Sequence, residues 1–148
     1  MKQLVLDLGA EPAQSLDTFQ VGENAELAHL MHLFAERASR EHFAYLWGDT
    51  GAGKTHMLQA LAASPASRYI AFDAPKADFV HTPAITLYLL DDCHLLSKQR
   101  QIDAFALFNQ IREHGAYMVC TGPVPPALLQ VREDLRTRMG WGLVYQIH

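Results

Sequence analysis

The sequence predicts an α/β protein in which a five-stranded parallel sheet lies between helices. Three observations carry this prediction: strand-like apolar runs alternate with helical patterns, the run at residues 85–90 is apolar or β-branched throughout, and a Gly-rich segment at residues 48–55 joins the first strand to a helix. A chain of 148 residues, 49% hydrophobic and 19% charged, can bury one sizeable core. We expect an N-terminal extension over residues 1–15 and one core domain over residues 16–148.

The individual elements follow from the period of the apolar residues. Helical spacing predicts a helix around residues 27–34 with Asn24 as its N-cap, a second after the Gly-rich segment, and a long one from about Lys98 to His114. Strands are expected at residues 43–47, 68–72, 85–90, 117–121 and 143–147. Because Pro75 and Pro83 interrupt residues 73–84, the crossover between the second and third strands is predicted to be little more than a loop.

The Gly-rich segment matches the phosphate-binding pattern G-x-x-x-x-G-K-[ST] and stands between a strand and a helix, as that motif requires. Glycines allow successive backbone N–H groups to turn towards phosphate oxygens, and the next helix offers its positive end. Lys54 is expected to reach the outer phosphates, and the Thr55 hydroxyl is expected to ligate Mg²⁺. A plain Gly-rich turn is the alternative. The predicted phosphate-binding residues are Gly48, Asp49, Thr50, Gly51, Ala52, Gly53, Lys54, Thr55 and His56.

A second motif lies at the end of the third predicted strand. The run from Ile85 to Leu90 is apolar or β-branched, as in a strand covered on both faces, and Asp91 and Asp92 follow it. A carboxylate there can hold Mg²⁺ directly or through water, so Asp91 is the metal candidate. Asp92 is then placed to orient or deprotonate an attacking water. The alternative is an acidic pair that caps a turn.

Composition excludes several other classes. Cys93 and Cys120 show neither metal-ligand spacing nor a disulfide framework, and the eight histidines are scattered, so we predict no further metal site. No segment has the apolar length of a membrane span and no signal peptide is recognised, so a cytoplasmic location is expected. A net charge of −4 argues against a dominant electrostatic footprint for DNA, although a direct DNA contact stays open.

With these motifs the chain resembles the nucleotide-binding core of AAA+ proteins, and within that class the DnaA family, in particular its regulators of the Hda type. Residues 16–24 are similar to the stretch that contributes to the adenine pocket in that family, which implies Val21 and Gly22 as nucleotide-binding residues. Residues 135–142 are similar to the family's arginine-finger box, with Arg138 in the finger position. A planar guanidinium presented across a subunit interface can neutralise charge on a transferred phosphoryl group. Outside this box, Arg138 would be interpreted as a surface ion-pair residue.

The N-terminal extension carries a further resemblance, to the short peptide with which Hda-type regulators engage the replicative sliding clamp. The residues that carry it are Gln3, Leu4, Leu6 and Leu8. Spaced apolar side chains in such a peptide can enter a groove on a partner. The alternative is a strand of the protein's own sheet.

Two departures from the family pattern bear on catalysis. Pro123 and Val124 stand where the family has an aspartate and an arginine, and neither can contact a phosphate through a charged side chain. The sequence also ends soon after the fifth predicted strand, so a helical lid with the second sensor arginine is not expected within it. A shortened natural protein and a piece of a longer one are both open.

The resemblance implies a regulator that binds ATP or ADP with Mg²⁺ and, together with the sliding clamp, promotes hydrolysis of ATP on the DnaA initiator. Such a chain is expected to hydrolyse little or no ATP alone. An autonomous ATPase of helicase-loader type and a non-catalytic nucleotide-binding adaptor are the alternatives, and homo-oligomerisation stays open. The sequence lacks the Asn-Lys-x-Asp motif that reads guanine, which disfavours a GTPase.

Overall fold

The computed structural model describes residues 25–49 and 53–148 of the chain. Within them, five strands alternate with four α-helices, and short 3₁₀ turns lie at Lys76–Phe79, Cys93–Leu95 and Pro126–Leu128. The α-helices are α1 (Ala25–Ala35), α2 (Lys54–Ala62), α3 (Lys98–His114) and α4 (Glu133–Met139). The strands are β1 (Phe43–Trp47), β2 (Ser67–Ile70), β3 (Leu87–Leu90), β4 (Tyr117–Gly122) and β5 (Leu143–Gln146).

The strands form one sheet in the order β2-β3-β4-β1-β5, and every neighbouring pair is parallel. The register places Trp47 of β1 beside Gly122 of β4, and Leu90 of β3 beside Cys120. The strands therefore end at one common edge, which we name the carboxyl edge, and begin at the opposite amino edge. Connections that follow β1, β3 and β4 start side by side at the carboxyl edge.

Helices cover both faces of the sheet, because successive side chains of a strand point to opposite faces. On β1, Leu46 packs with α1 and α2 in one apolar cluster, whereas Tyr45 packs with α3 and α4 in the other. The strand β3 divides in the same way, with Leu89 in the first cluster and Leu90 in the second. The result is a three-layer α/β core with the predicted parallel sheet in its middle.

Most elements agree with the sequence prediction. The bounds of β1 and α3 are confirmed, and the β2–β3 crossover is indeed a loop with only one 3₁₀ turn. The predicted second strand was too long, because the chain turns away after Ile70 through the bond from the Ala74 N–H to the Ala71 carbonyl. The third strand begins at Leu87 rather than Ile85, the fourth ends at Gly122, and the fifth ends at Gln146.

Helix α4 was not predicted. It has seven residues, of which only Leu135 and Met139 are buried. One apolar pair four positions apart is too little for a helical period to stand out in the sequence.

No helix of residues 25–49 or 53–148 combines the length and the apolar character that crossing a membrane requires.

Candidate functional site

The two predicted nucleotide-binding motifs meet at the carboxyl edge. The loop that begins at Gly48 follows β1, and Asp91 and Asp92 follow β3, with β4 between these strands. Thr50, Gly51 and Ala52 lie outside the described residues, as do Val21 and Gly22 and the peptide residues Gln3, Leu4, Leu6 and Leu8. For all of these the sequence prediction stands untested.

The loop enters α2 through a glycine in a left-handed conformation. Gly53 has φ 98° and ψ 13°, which favours a residue without a Cβ. The Met57 N–H donates to the Gly53 carbonyl at 2.9 Å, and the N–H groups before it belong to the end of α2 that lacks intrahelical acceptors. No side chain caps this end and its first turn carries no acidic residue, so the positive end of α2 faces the loop without a carboxylate on it.

Lys54 is directed back onto this loop. Its Nζ donates to the carbonyl oxygens of Gly48, at 2.6 Å, and Asp49, at 3.0 Å, and the side chain is 9% exposed. A buried ammonium needs acceptors, and within the described residues backbone carbonyls supply them. No carboxylate of the described residues forms an ion pair with Lys54, although its charge opposes the rise that burial causes in the pKa of Asp92.

Asp91 is almost completely buried, at 1% exposure, and three hydroxyl groups hold it. The Oδ2 atom accepts from Thr55 Oγ1 at 2.8 Å and from the Tyr69 hydroxyl at 2.7 Å, and Oδ1 accepts from Thr121 Oγ1 at 2.5 Å. These donors come from α2, β2 and β4, the elements around β3. Burial, followed by the hydrogen bond to Asp91, raises the pKa of Tyr69, so its hydroxyl remains a donor at neutral pH.

This donor set fits a phosphate chain with Mg²⁺. Oxygen ligands are what Mg²⁺ prefers, and it usually takes one or two protein oxygens together with phosphates and waters. The exposed Thr55 hydroxyl and the Asp91 carboxylate behind it supply that kind of pair, while Lys54 and the end of α2 supply positive charge for the phosphates. The described residues contain no group of three His, Cys, Asp or Glu side chains that could hold a metal ion, so at this site phosphates and waters would have to complete the coordination of Mg²⁺.

Asp92 adopts a left-handed conformation, with φ 52° and ψ 51°, and its N–H donates to Thr121 Oγ1 at 2.9 Å. Burial, and then the neighbouring charge of Asp91, raise the pKa of the Asp92 carboxyl, while His94 and Lys54 oppose the shift. A half-buried carboxylate with a raised pKa beside a phosphate loop has the chemistry of a proton acceptor.

Pro123 and Val124, which the family resemblance places at a sensor position, follow β4 and carry no charge. Pro123 is exposed and Val124 half-buried, and the Val124 carbonyl accepts from the Tyr45 hydroxyl at 2.6 Å. Together with His94, Leu128, Leu129 and Gln130 they line a cleft of about 310 Å³. Of its described lining side chains only His94 can carry a charge, so this lining supplies no permanent cation for phosphate.

Arg138 lies at the amino edge, where the strands begin. It is in the last turn of α4, directly before β5, and a Cβ at Gly142 would clash with the carbonyl oxygen of Phe43, the first residue of β1. The ring of Trp141 also contacts that of Phe43, with centroids 5.6 Å apart. Since the phosphate loop begins beyond the other end of β1, roughly 13 Å of strand separates the two regions.

Aromatic rings and one hydrogen bond hold the Arg138 side chain. Its guanidinium carbon lies 4.1 Å from the centroid of the Trp141 ring and 4.8 Å from that of Phe105, and its Nε donates to Asn109 Oδ1 at 3.1 Å. Among the described residues neither Nη1 nor Nη2 has a hydrogen-bond acceptor, and no carboxylate forms an ion pair with Arg138. The planar end of the guanidinium thus remains available for an anion.

Sequence analysis missed five residues that act on the predicted ones. Tyr69 and Thr121 hold Asp91, and Phe105, Asn109 and Trp141 hold Arg138. For Thr121 a signal existed, because a polar residue in an otherwise apolar strand next to β3 needs a buried partner. For the other four, no local pattern in the sequence identified the contact.

Comparison with known proteins places this geometry in context. The family model of the bacterial DnaA ATPase domain matches residues 11–80. The chromosomal replication initiator protein DnaA of Leifsonia xyli subsp. xyli is 28% identical in an alignment of 158 positions that covers 90% of this chain and 33% of that protein. For DnaA of Lachnoclostridium phytofermentans the identity is 29% in an alignment of 163 positions that covers 92% of this chain and 36% of that protein. The chain therefore spans about a third of the curated relatives that it matches.

Solved structures show the same architecture. Replication initiator DnaA bound to AMPPCP and single-stranded DNA has a TM-score of 0.78 at 25% identity, over 96% of this chain and 51% of that one. Domain III of Thermotoga maritima DnaA gives 0.79 at 22% identity, over 93% and 68%, and shows the fold alone. A Neisseria meningitidis protein of known solution structure is 30% identical over 100% of this chain and 99% of its own, with a TM-score of 0.60.

Proposed function

We propose that this DnaA-like domain of AAA+ fold binds an adenine nucleotide, ATP or ADP, with Mg²⁺ at the carboxyl edge. In this proposal Lys54 contacts the outer phosphates, backbone N–H groups of the loop from Gly48 to His56 surround them, and Thr55 ligates Mg²⁺ in front of Asp91. When bound, Mg²⁺ would neutralise phosphate charge and orient the phosphate oxygens. The hydrogen bonds of Lys54 to Gly48 and of Thr55 to Asp91 support this nucleotide site, as does the presence of AMPPCP in a DnaA structure of the same fold.

The wider role that follows is regulation of replication initiation: the domain would act on an ATP-bound DnaA initiator, as regulators of the Hda type do, together with the sliding clamp. The observation that carries this proposal is the position of Arg138. Its guanidinium lies at the amino edge, a strand length away from the chain's own phosphate loop, and its two terminal nitrogens have no acceptor among the described residues. An arginine so placed can serve a nucleotide held by a neighbouring protein but not the nucleotide of its own chain.

In this mechanism the hydrolysed ATP belongs to the partner. Arg138 donates to the oxygens of the transferred phosphoryl group and neutralises the negative charge that develops there. Trp141, Phe105 and Asn109 fix the guanidinium in advance, so that little side-chain entropy is lost when the partner docks. The chain's own nucleotide would serve binding rather than turnover, because Pro123 and Val124 supply no charge at the sensor position.

One observation favours a second function, an autonomous ATPase. Asp92 has a raised pKa and lies one residue beyond the proposed metal carboxylate, as a base for an attacking water would. A base alone does not neutralise the charge that develops on the phosphoryl group, which is why we rank this function second.

The decisive experiment measures steady-state ATP hydrolysis by this protein alone, and then with ATP-bound DnaA initiator and DNA-loaded sliding clamp. We expect negligible turnover alone and strong stimulation in the mixture. Fast turnover by the isolated protein would favour the autonomous ATPase. Nucleotide binding without any stimulation would instead indicate a non-catalytic adaptor.

The clamp contact is tested separately by the double variant Gln3→Ala with Leu6→Ala. We expect it to abolish capture by an immobilised clamp, since short peptides of this kind bind through a few side chains in a groove. The matched control is Glu11→Ala with Gln14→Ala, which changes the same extension outside the proposed peptide. Equal capture of both double variants would remove the clamp from the proposal.

A further inference from the structure

A second arginine shares the aromatic support of Arg138. Arg112, in the last turn of α3, has its guanidinium carbon 4.8 Å from the centroid of the same Trp141 ring on which Arg138 lies at 4.1 Å. The two guanidinium groups come from different helices and converge on one indole. Arg112 is exposed, so its charge faces the surface rather than the core.

Neither arginine forms an ion pair with a carboxylate of the described chain, and Arg112 has no hydrogen-bond acceptor among the described residues. The nearby carboxylate of Asp134 on α4 pairs with Arg132 at 3.0 Å; this hydrogen bond is the main cause that lowers the pKa of Asp134, and the charge of Arg138 contributes less. Because the two guanidinium carbons lie 4.8 Å and 4.1 Å from one ring centroid, a polyphosphate that reaches this surface is attracted by two positive charges.

The support under the pair is rigid. Trp141 contacts Phe43, whose ring stacks on Phe108 of α3 with centroids 5.4 Å apart. The indole is therefore fixed between the start of β1 and α3, and it sets the positions of both guanidinium groups. A guanidinium group that lies over an aromatic ring can keep the N–H donors in its own plane free for phosphate.

We propose that Arg112 is a second phosphate-binding residue of the surface that carries Arg138, and that the anion it contacts is the polyphosphate of a nucleotide held by the partner protein. This inference rests on the proposed function. Arg138 contacts the phosphoryl group that is transferred, whereas Arg112 adds affinity for the triphosphate without touching the reacting atoms. The alternative is a purely structural role, in which Arg112 only complements the negative end of the α3 dipole.

The first test follows stimulated hydrolysis as a function of partner concentration. Arg112→Gln should raise the half-saturating concentration of ATP-bound partner about tenfold, the effect of one lost charge-assisted hydrogen bond, and leave the maximal rate nearly unchanged. Arg112→Lys, which keeps the charge at the helix end but loses the planar fork, should show most of that increase. Lys98→Gln, which removes an exposed cation at the start of the same helix, is the matched control and should behave as wild type. Wild-type values for both Arg112 variants would overturn the proposal.

A second test does not depend on the identity of the partner. Inorganic tripolyphosphate is titrated into Lys54→Ala protein, in which the phosphate loop is disabled, while NMR follows the indole N–H signals of Trp47 and Trp141. We expect a saturable shift of the Trp141 signal that is lost in Arg112→Gln, while the Trp47 signal does not move. If wild type fails to stimulate any DnaA-type partner but this shift occurs, the proposed function fails and the two-arginine anion site stands. A Trp141 signal that does not respond, or that responds equally in Arg112→Gln, overturns the site itself.

Discussion

Charged side chains at the carboxyl edge and at the amino edge differ in what holds them. At the carboxyl edge, Lys54 and Asp91 are buried and bonded to backbone carbonyls or hydroxyl groups of the same chain. At the amino edge, Arg138 rests on the ring faces of Phe105 and Trp141, and its terminal nitrogens have no acceptor in the described chain. Under the proposed function, this difference corresponds to two tasks. A site that encloses its ligand needs polar groups fixed by its own chain, whereas a side chain that acts on another molecule needs a fixed position and unoccupied donors.

The two regions also differ in how their side chains depend on the fold. The contacts of Asp91 come from three elements that surround β3, so the pocket forms only when β2, β4 and α2 are in place. Arg138 depends on α3 and on the segment between α4 and β5. Changes at the carboxyl edge are therefore expected to affect stability and nucleotide binding, and changes at the amino edge to affect action on a partner.

The largest expected effect is at the amino edge. Arg138→Ala should lower stimulated hydrolysis of partner-bound ATP by about 10³-fold or more, because an arginine supplied across an interface contributes about 10³–10⁵ in rate. Binding of nucleotide to this chain should not change, since the two regions lie at opposite ends of β1. Stimulation assays combined with nucleotide titration separate the two readouts.

The matched variants for this comparison are Arg138→Lys and Lys98→Ala. Arg138→Lys keeps a positive charge but loses the planar fork, and we expect it to recover little of the rate. Lys98→Ala removes an exposed cation at the start of α3 and should leave stimulation intact. Stimulation by Arg138→Ala at the wild-type level would contradict the division between the edges.

Next in size is the loss of the phosphate-binding cation. Lys54→Ala should remove most of the stabilisation that adenine nucleotide gives this domain, which is about 2.7 kcal/mol at a hundredfold excess over the dissociation constant. Thermal unfolding with and without Mg²⁺-nucleotide measures this difference. Lys98→Ala, at the exposed start of α3, is the control. If nucleotide protects Lys54→Ala as well as wild type, the ligand binds elsewhere.

A smaller effect is expected where Thr121 supports Asp91. Thr121→Val keeps the shape of the side chain but leaves Oδ1 of a buried carboxylate without its hydroxyl donor, and the Asp92 N–H without its acceptor. We expect a loss of about 1–3 kcal/mol in the free energy of unfolding, measured with urea. Thr121→Ser keeps the hydroxyl and should lose less. Equal losses in Thr121→Val and Thr121→Ser would mean that packing, and not the hydrogen bond, determines the change in the free energy of unfolding.

The contrast between the edges also explains what sequence could and could not predict. The phosphate loop and the Asp91–Asp92 pair are local patterns, each adjacent to a strand, and parallel strands bring their ends together. Tyr69 was not predicted as a partner of Asp91 because that contact depends on β2 lying beside β3, and strand order is not written in any single segment. The bond between Asn109 and Arg138 joins residues 29 positions apart and depends on how α3 packs on α4, a helix too short to predict.

The smallest predicted effect is the loss of folding stability caused by the ionised Asp92 carboxylate. Burial and Asp91 raise the pKa of Asp92 above its ordinary value of 3.8, so the folded protein holds the Asp92 proton more tightly than the unfolded chain does. Ionisation of Asp92 therefore destabilises the fold at pH values above the raised pKa, and this cost disappears as the pH falls below 3.8.

Asp92→Asn removes the ionisable group, and asparagine tolerates the left-handed φ of 52°. We expect Asp92→Asn to be more stable than wild type in urea at neutral pH, and the difference to shrink as the pH is lowered towards 4. Glu41→Gln, an exposed carboxylate in the loop before β1, is the control and should change little at either pH. A less stable Asp92→Asn at neutral pH would mean that the attraction of His94 and Lys54 outweighs burial, and that Asp92 contributes to the fold as well as facing the phosphate loop.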